Sequence, residues 1–87
     1  MSKTYSLEEL ASSVQAWCEE HRIQPANGQA AENLTERTIR YYRTIGLLDA
    51  PLGGYVKTFG EKHRLQLLAV RYYQALGLPL RKIREEL

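Results

Sequence analysis

The sequence predicts a mainly α-helical domain of about four helices, with one small β-hairpin between the second and third. Three observations carry this. Apolar residues recur at the i, i+3, i+4 spacing of buried helix stripes. Glycine and proline fall between those stretches and not inside them. The β-prone set Tyr55, Val56, Thr58 and Phe59 follows the Gly53-Gly54 pair. With 87 residues, 1–87 reads as a single domain. Its one core is too small to enclose a deep substrate cavity as well.

The first helix opens at Ser6, where Glu9 three residues on completes a capping box. Its buried stripe is Leu7, Leu10, Ala11, Val14, Trp17 and Cys18, and it frays near His21 or Arg22. Residues 21–34 read as an inserted loop between helices one and two, with Pro25 and Asn27-Gly28 marking a turn. The periodicity leaves a weak helical turn over 29–33 undecided.

Thr35 is the expected cap of the second helix, about 36–45, and Gly46 is its stop. At about 100° per residue, Ile39 and Tyr42 share one side, while Arg37, Arg40, Tyr41 and Thr44 share the opposite one. The hairpin, about 51–59, takes its turn at Gly53-Gly54, with Leu47-Leu48 as a candidate partner strand. The third helix, about 61–76, is expected to bury Leu65, Leu68, Ala69, Tyr72 and Leu76, leaving Tyr73 at an edge; Gly77 stops it. Pro79 suits the first turn of a fourth helix with stripe Leu80, Ile83 and Leu87. The order helix, helix, hairpin, helix, helix is the outline of a winged helix.

The net charge of +2 conceals an asymmetry. Residues 1–33 carry −3, residues 34–64 carry +3 and residues 65–87 carry +2. Cations gathered after an acidic first third point to an anionic partner. Catalysis has little to work with. His21 and His63 stand apart, no glycine loop matches a nucleotide-binding pattern, and the paired glutamates diverge on their helices. The enzyme class is therefore set aside, with no catalytic residue, cofactor or metal expected. Cys18 is alone and lies on a buried stripe, so it reads as core and not as a disulfide or metal ligand. No apolar run reaches the ~18 residues of a membrane span, and the start lacks a signal-peptide layout. A cytoplasmic, membrane-free protein is expected.

The Arg37, Arg40, Tyr41, Thr44 face carries the chemistry of DNA recognition. Arginine presents a fork of donors that matches phosphate and the O6/N7 edge of guanine. Tyrosine and threonine hydroxyls commonly donate to phosphate. The hairpin adds Tyr55 and Lys57. Lys62, His63 and Arg64 open the third helix, where backbone donors already favour anions.

Taken together, TIRYYRTIGLL, GGYVKTFG and LQLLAVRYYQALGLPLRKIREEL resemble the DNA-binding domain of the MerR family of bacterial transcription regulators, over about residues 35–87. The resemblance implies a winged helix-turn-helix with its second helix in the major groove of double-stranded DNA and its wing on the backbone. It implies DNA contacts from Arg37, Arg40 and Tyr41, with Tyr55 near phosphate. Three departures stand beside it. His21 to Leu34 replaces the family's tight turn, Val56 stands where the wing usually has a basic residue, and the sequence ends at Leu87. From that end, this chain alone is expected to be monomeric, with pairing through a region beyond Leu87. Two other readings remain: an excisionase-like architectural DNA binder, and a winged helix kept as a protein-interaction module.

Overall fold

The computed structural model describes residues 3–25, 33–53 and 57–86. Four helices follow in order: α1 (Leu7–Glu20), α2 (Glu36–Thr44), α3 (Glu61–Ala75) and α4 (Leu80–Glu86). The capping box of α1 forms as the sequence implies. The Ser6 N–H donates to Glu9 Oε1 at 2.8 Å and the Glu9 N–H to Ser6 Oγ at 3.1 Å. Thr35 caps α2 by accepting the Thr38 N–H at 3.2 Å.

α1, α2 and α3 end in the same way. At each end one residue turns left-handed, and the N–H beyond it reaches back to a carbonyl five residues earlier: Ile23 to Cys18, Leu47 to Tyr42, Leu78 to Tyr73. This is the Schellman arrangement. Gly46 and Gly77 hold the left-handed position at φ 87 in α2 and α3, whereas α1 places Arg22 there at φ 55.

The core joins all four helices. Leu10, Ala11, Val14 and Cys18 of α1 meet Ile39 and Tyr42 of α2, Leu67 and Val70 of α3, and Ile83 of α4. Leu7 and Trp17 are half-buried at its margin, and Leu80 packs against it from α4. Burial pushes the Cys18 thiol above its ordinary pKa, an effect the nearby Arg71 partly opposes.

Two expectations are corrected. Leu47-Leu48 is not a strand partner. Both side chains lie in the core because the Schellman end of α2 folds Leu47 back over the helix. Among the described residues, strand pairing consists of two isolated antiparallel bridges, Leu52 with Thr58 and Tyr5 with Phe59. The expected hairpin tip, including Gly54, Tyr55 and Val56, lies outside the described residues, as do 26–32 of the inserted loop and Leu87.

The second correction concerns the rotation of α3. Its inward residues are His63, Leu67, Val70, Arg71 and Gln74. Leu65, Tyr72 and Leu76, expected inside, are exposed, Leu68 and Ala69 are half-buried, and Tyr73 packs against the core in place of Tyr72. α3 carries apolar residues on every side, so hydrophobic spacing admits two rotations. Polar side chains choose between them. Gln74 Nε2 donates to the Tyr42 hydroxyl at 2.9 Å inside the core. The Gly60 N–H donates to His63 Nδ1 at 2.9 Å, and His63 Nε2 lies 2.9 Å from the Ala50 carbonyl.

Candidate nucleic-acid interface

α2 buries Ile39 and Tyr42 and exposes Arg37, Arg40, Tyr41 and Thr44. Arg43, which the sequence reading did not place among the candidates, is exposed as well. It follows Arg40 by three residues, which is the signal that could have found it. Thr44 Oγ1 donates to the Arg40 carbonyl at 3.0 Å. That bond commits the threonine proton and leaves its methyl and lone pairs outward.

A groove of about 450 Å³ lies between α2 and residues 57–59, with Pro51 also on its lining. Arg40, Arg43 and Thr44 form one wall and Lys57 stands on the other, over a floor that includes Leu48 and Phe59. Cations therefore flank an apolar base. The floor holds its place because Phe59 bridges to Tyr5, N–H to carbonyl at 2.9 Å and 2.7 Å in the two directions. On the other flank of α2, Tyr41 and Ile45 line a second cleft with Arg81 and Arg84 of α4. The Arg84 guanidinium lies over Gly46, 3.5 Å from where a Cβ would stand, close to the carbonyl end of α2 that favours a cation.

The three residues at the start of α3 diverge in role. Lys62 is exposed and pairs with Asp49 at 3.3 Å. The Asp49 carboxyl is held below its ordinary pKa, first by a hydrogen bond from Gln66 and then by Lys62. Arg64 is tied down: Nε donates to Ser13 Oγ at 3.0 Å and a terminal nitrogen to Glu61 at 3.0 Å, so it clasps α1 to α3. Glu61 also accepts from the Tyr5 hydroxyl at 3.0 Å. His63 is fully buried and bonded at both ring nitrogens. A side chain with no exposed surface cannot reach a phosphate, so His63 leaves the candidate set and becomes the link between the 50–52 segment and α3. Tyr55 lies outside the described residues.

Among the described residues, no group of three or more His, Cys, Asp or Glu side chains is placed to hold a metal ion, and no helix is long and apolar enough to cross a membrane. Over residues 5–87 the chain matches the family described as MerR HTH family regulatory protein. No curated protein and no solved structure matches it.

Proposed function

The chain belongs to the MerR family of helix-turn-helix regulatory proteins, and on that premise we propose that it binds double-stranded DNA in a sequence-specific way to regulate transcription. α2 enters the major groove, and the 51–59 segment serves as a wing against the neighbouring backbone. The observation that carries this reading is the division of α2: Ile39 and Tyr42 are sealed in the core while Arg37, Arg40, Arg43 and Tyr41 face solvent. A helix held by one side, with guanidinium forks on the other, can be laid in a groove without unfolding anything.

The roles follow from the geometry. Arg37 and Arg40 reach base edges or phosphates, and the Tyr41 hydroxyl donates to phosphate. Thr44, its proton committed to the helix, offers its methyl to a thymine methyl. Lys57, across the groove from Arg40, neutralises a backbone phosphate. Lys62 can exchange its exposed partner Asp49 for a phosphate at little cost, since such pairs contribute about 0–1 kcal/mol. Arg64 acts indirectly by fixing α1 against α3.

Fluorescence-anisotropy titration against a duplex selected from a random pool tests the reading. Affinity should fall steeply with salt, as it must when several phosphates are neutralised. Lys57→Ala should weaken all duplexes alike and reduce the salt slope by about one. Full affinity in both Arg37→Ala and Arg40→Ala would overturn the assignment of α2. Salt-independent behaviour with no duplex bound would favour the protein-interaction module instead.

A further inference from the structure

The two clefts that flank α2 differ in charge. The one shared with α4 holds Arg81 and Arg84, but Glu85 stands among them. The groove toward residues 57–59 holds Arg40, Arg43 and Lys57, and no carboxylate lines it. Among the described residues the ion pairs are Lys62 with Asp49, Arg64 with Glu61 and Lys82 with Glu85. The three groove cations therefore share one space without a carboxylate to balance them. Like charges around low-dielectric walls focus a positive potential between them and concentrate anions there.

Charge alone would suit any phosphate, and the floor narrows the choice. Ile39, Leu48 and Phe59 close the groove from below, while half-buried Leu7 and Pro51 bring apolar surface to its sides. This base is in place before any ligand arrives, because the Schellman end of α2 seats Leu47-Leu48 and the bridge to Tyr5 holds Phe59. A phosphate gains nothing from an apolar base. An occupant that uses both parts needs an apolar body and an anionic head. The volume of about 450 Å³ lies toward the lower end of the ~300–1,000 Å³ of small-ligand sites, so that occupant is compact. The arginines favour a flat ring, since a guanidinium stacks on an aromatic face and also forks to a carboxylate. Arg40 and Arg43, three residues apart, are neighbours on the helix wall, so one can do each. We propose that the groove is a binding site for a compact aromatic acid, its ring on the Leu48–Phe59 floor and its carboxylate held by an arginine and Lys57.

Arg40 and Lys57 are also the residues given to DNA, so acid and duplex compete. That consequence rests on the DNA-binding reading, whereas the site itself does not. A bound acid cancels positive charge where the duplex would lie and fills the space between α2 and residues 57–59. The DNA-binding surface thereby carries its own ligand-responsive release.

The probe is 2-naphthoate, titrated into the free protein and followed by backbone amide NMR shifts. 2-Naphthylmethanol supplies the ring without the charge, and acetate the charge without the ring. Naphthoate should saturate with a dissociation constant on the order of 1 mM or below, with shifts gathered on Arg43, Thr44, Leu48 and Phe59. Each control should bind at least about tenfold more weakly. Arg43→Ala and Lys57→Ala, both at exposed positions, should each weaken naphthoate about three- to tenfold with melting unchanged. Arg81→Ala, in the other cleft, should leave its affinity as it was. Acetate binding as tightly as naphthoate, shifts gathered on α4, or indifference to both Arg43→Ala and Lys57→Ala overturns the proposal. With a duplex present, naphthoate should raise the apparent dissociation constant of the DNA in proportion to its own occupancy. Acid and duplex bound together without interference would overturn the placement of the acid between α2 and Lys57. A chain that takes the acid and binds no duplex keeps the site and loses the DNA-binding reading.

Discussion

α2 and α3 are joined in the core by the side-chain hydrogen bond from Gln74 to Tyr42, yet their surfaces are chemically inverted. α2 is apolar inside, at Ile39 and Tyr42, and cationic outside. α3 places a histidine, an arginine and a glutamine inside with Leu67 and Val70, and turns Leu65, Tyr72 and Leu76 to solvent. Each helix therefore has one face that packing requires and one that packing does not explain. In α2 the unexplained face suits a polyanion. In α3 it is apolar surface left to solvent. A surplus of charge or of apolar surface, once the core is accounted for, is where function is to be sought.

The contrast breaks most readily at the two rotations. Leu67→Ala, at a position with 1% exposure, should cost about 2–5 kcal/mol in urea unfolding. Leu65→Ala, two residues away, should stay within about 0.5 kcal/mol. Equal costs would mean that α3 is turned the way its apolar spacing suggests. His63→Ala removes the acceptor of the Gly60 N–H and the partner of the Ala50 carbonyl, and should cost about 1–3 kcal/mol. If His63 instead served DNA, the loss would appear in affinity with stability unchanged.

The outer faces separate by readout. Arg40→Ala should weaken operator binding by about 1–3 kcal/mol and relax preference at one base position, with melting nearly unchanged. Leu76→Ala on a single-site duplex at low protein concentration should leave affinity as it was. The helix ends give the control in which α2 and α3 should behave alike. Gly46→Ala and Gly77→Ala each force a side chain into left-handed backbone, at about 1–2 kcal/mol. A much larger loss at Gly46 would show that the Arg84 guanidinium above it cannot give way.

The smallest effect lies at the cap of α1. Glu9 is held below its ordinary pKa by the Ser6 backbone N–H and then by the Ser6 side chain. A carboxyl lowered in the folded state stabilises fully above its unfolded value, 4.5, and loses that contribution as pH falls through the folded one. The melting difference between the parent chain and Glu9→Gln should therefore be present at pH 7 and shrink below pH 4.5. A difference that grows on acidification would contradict the capping box.

What could be read from the chain is what local chemistry specifies. Ser6 with Glu9, Thr35, Gly46 and Gly77 mark helix ends, because orphan N–H and C=O groups need partners within a few residues. The stripe of α1 and the division of α2 were legible because each has one apolar side, and the opposite side of α2 then exposed the arginine row. The rotation of α3 was not legible. Nine of its residues from Leu65 to Leu76 are apolar or tyrosine, so spacing alone fits two faces, and the bonds that decide run to Ala50, Gly60 and Tyr42. The burial of His63, the tying of Arg64 to Ser13 and the pairing of Leu52 rather than Leu47-Leu48 with Thr58 share that cause. Local partners can be counted along a sequence. A buried polar group satisfied by a residue dozens of positions away can be assigned only once the fold has brought the two together, because its partner lies far off in sequence and leaving it unpaired costs about 1–3 kcal/mol.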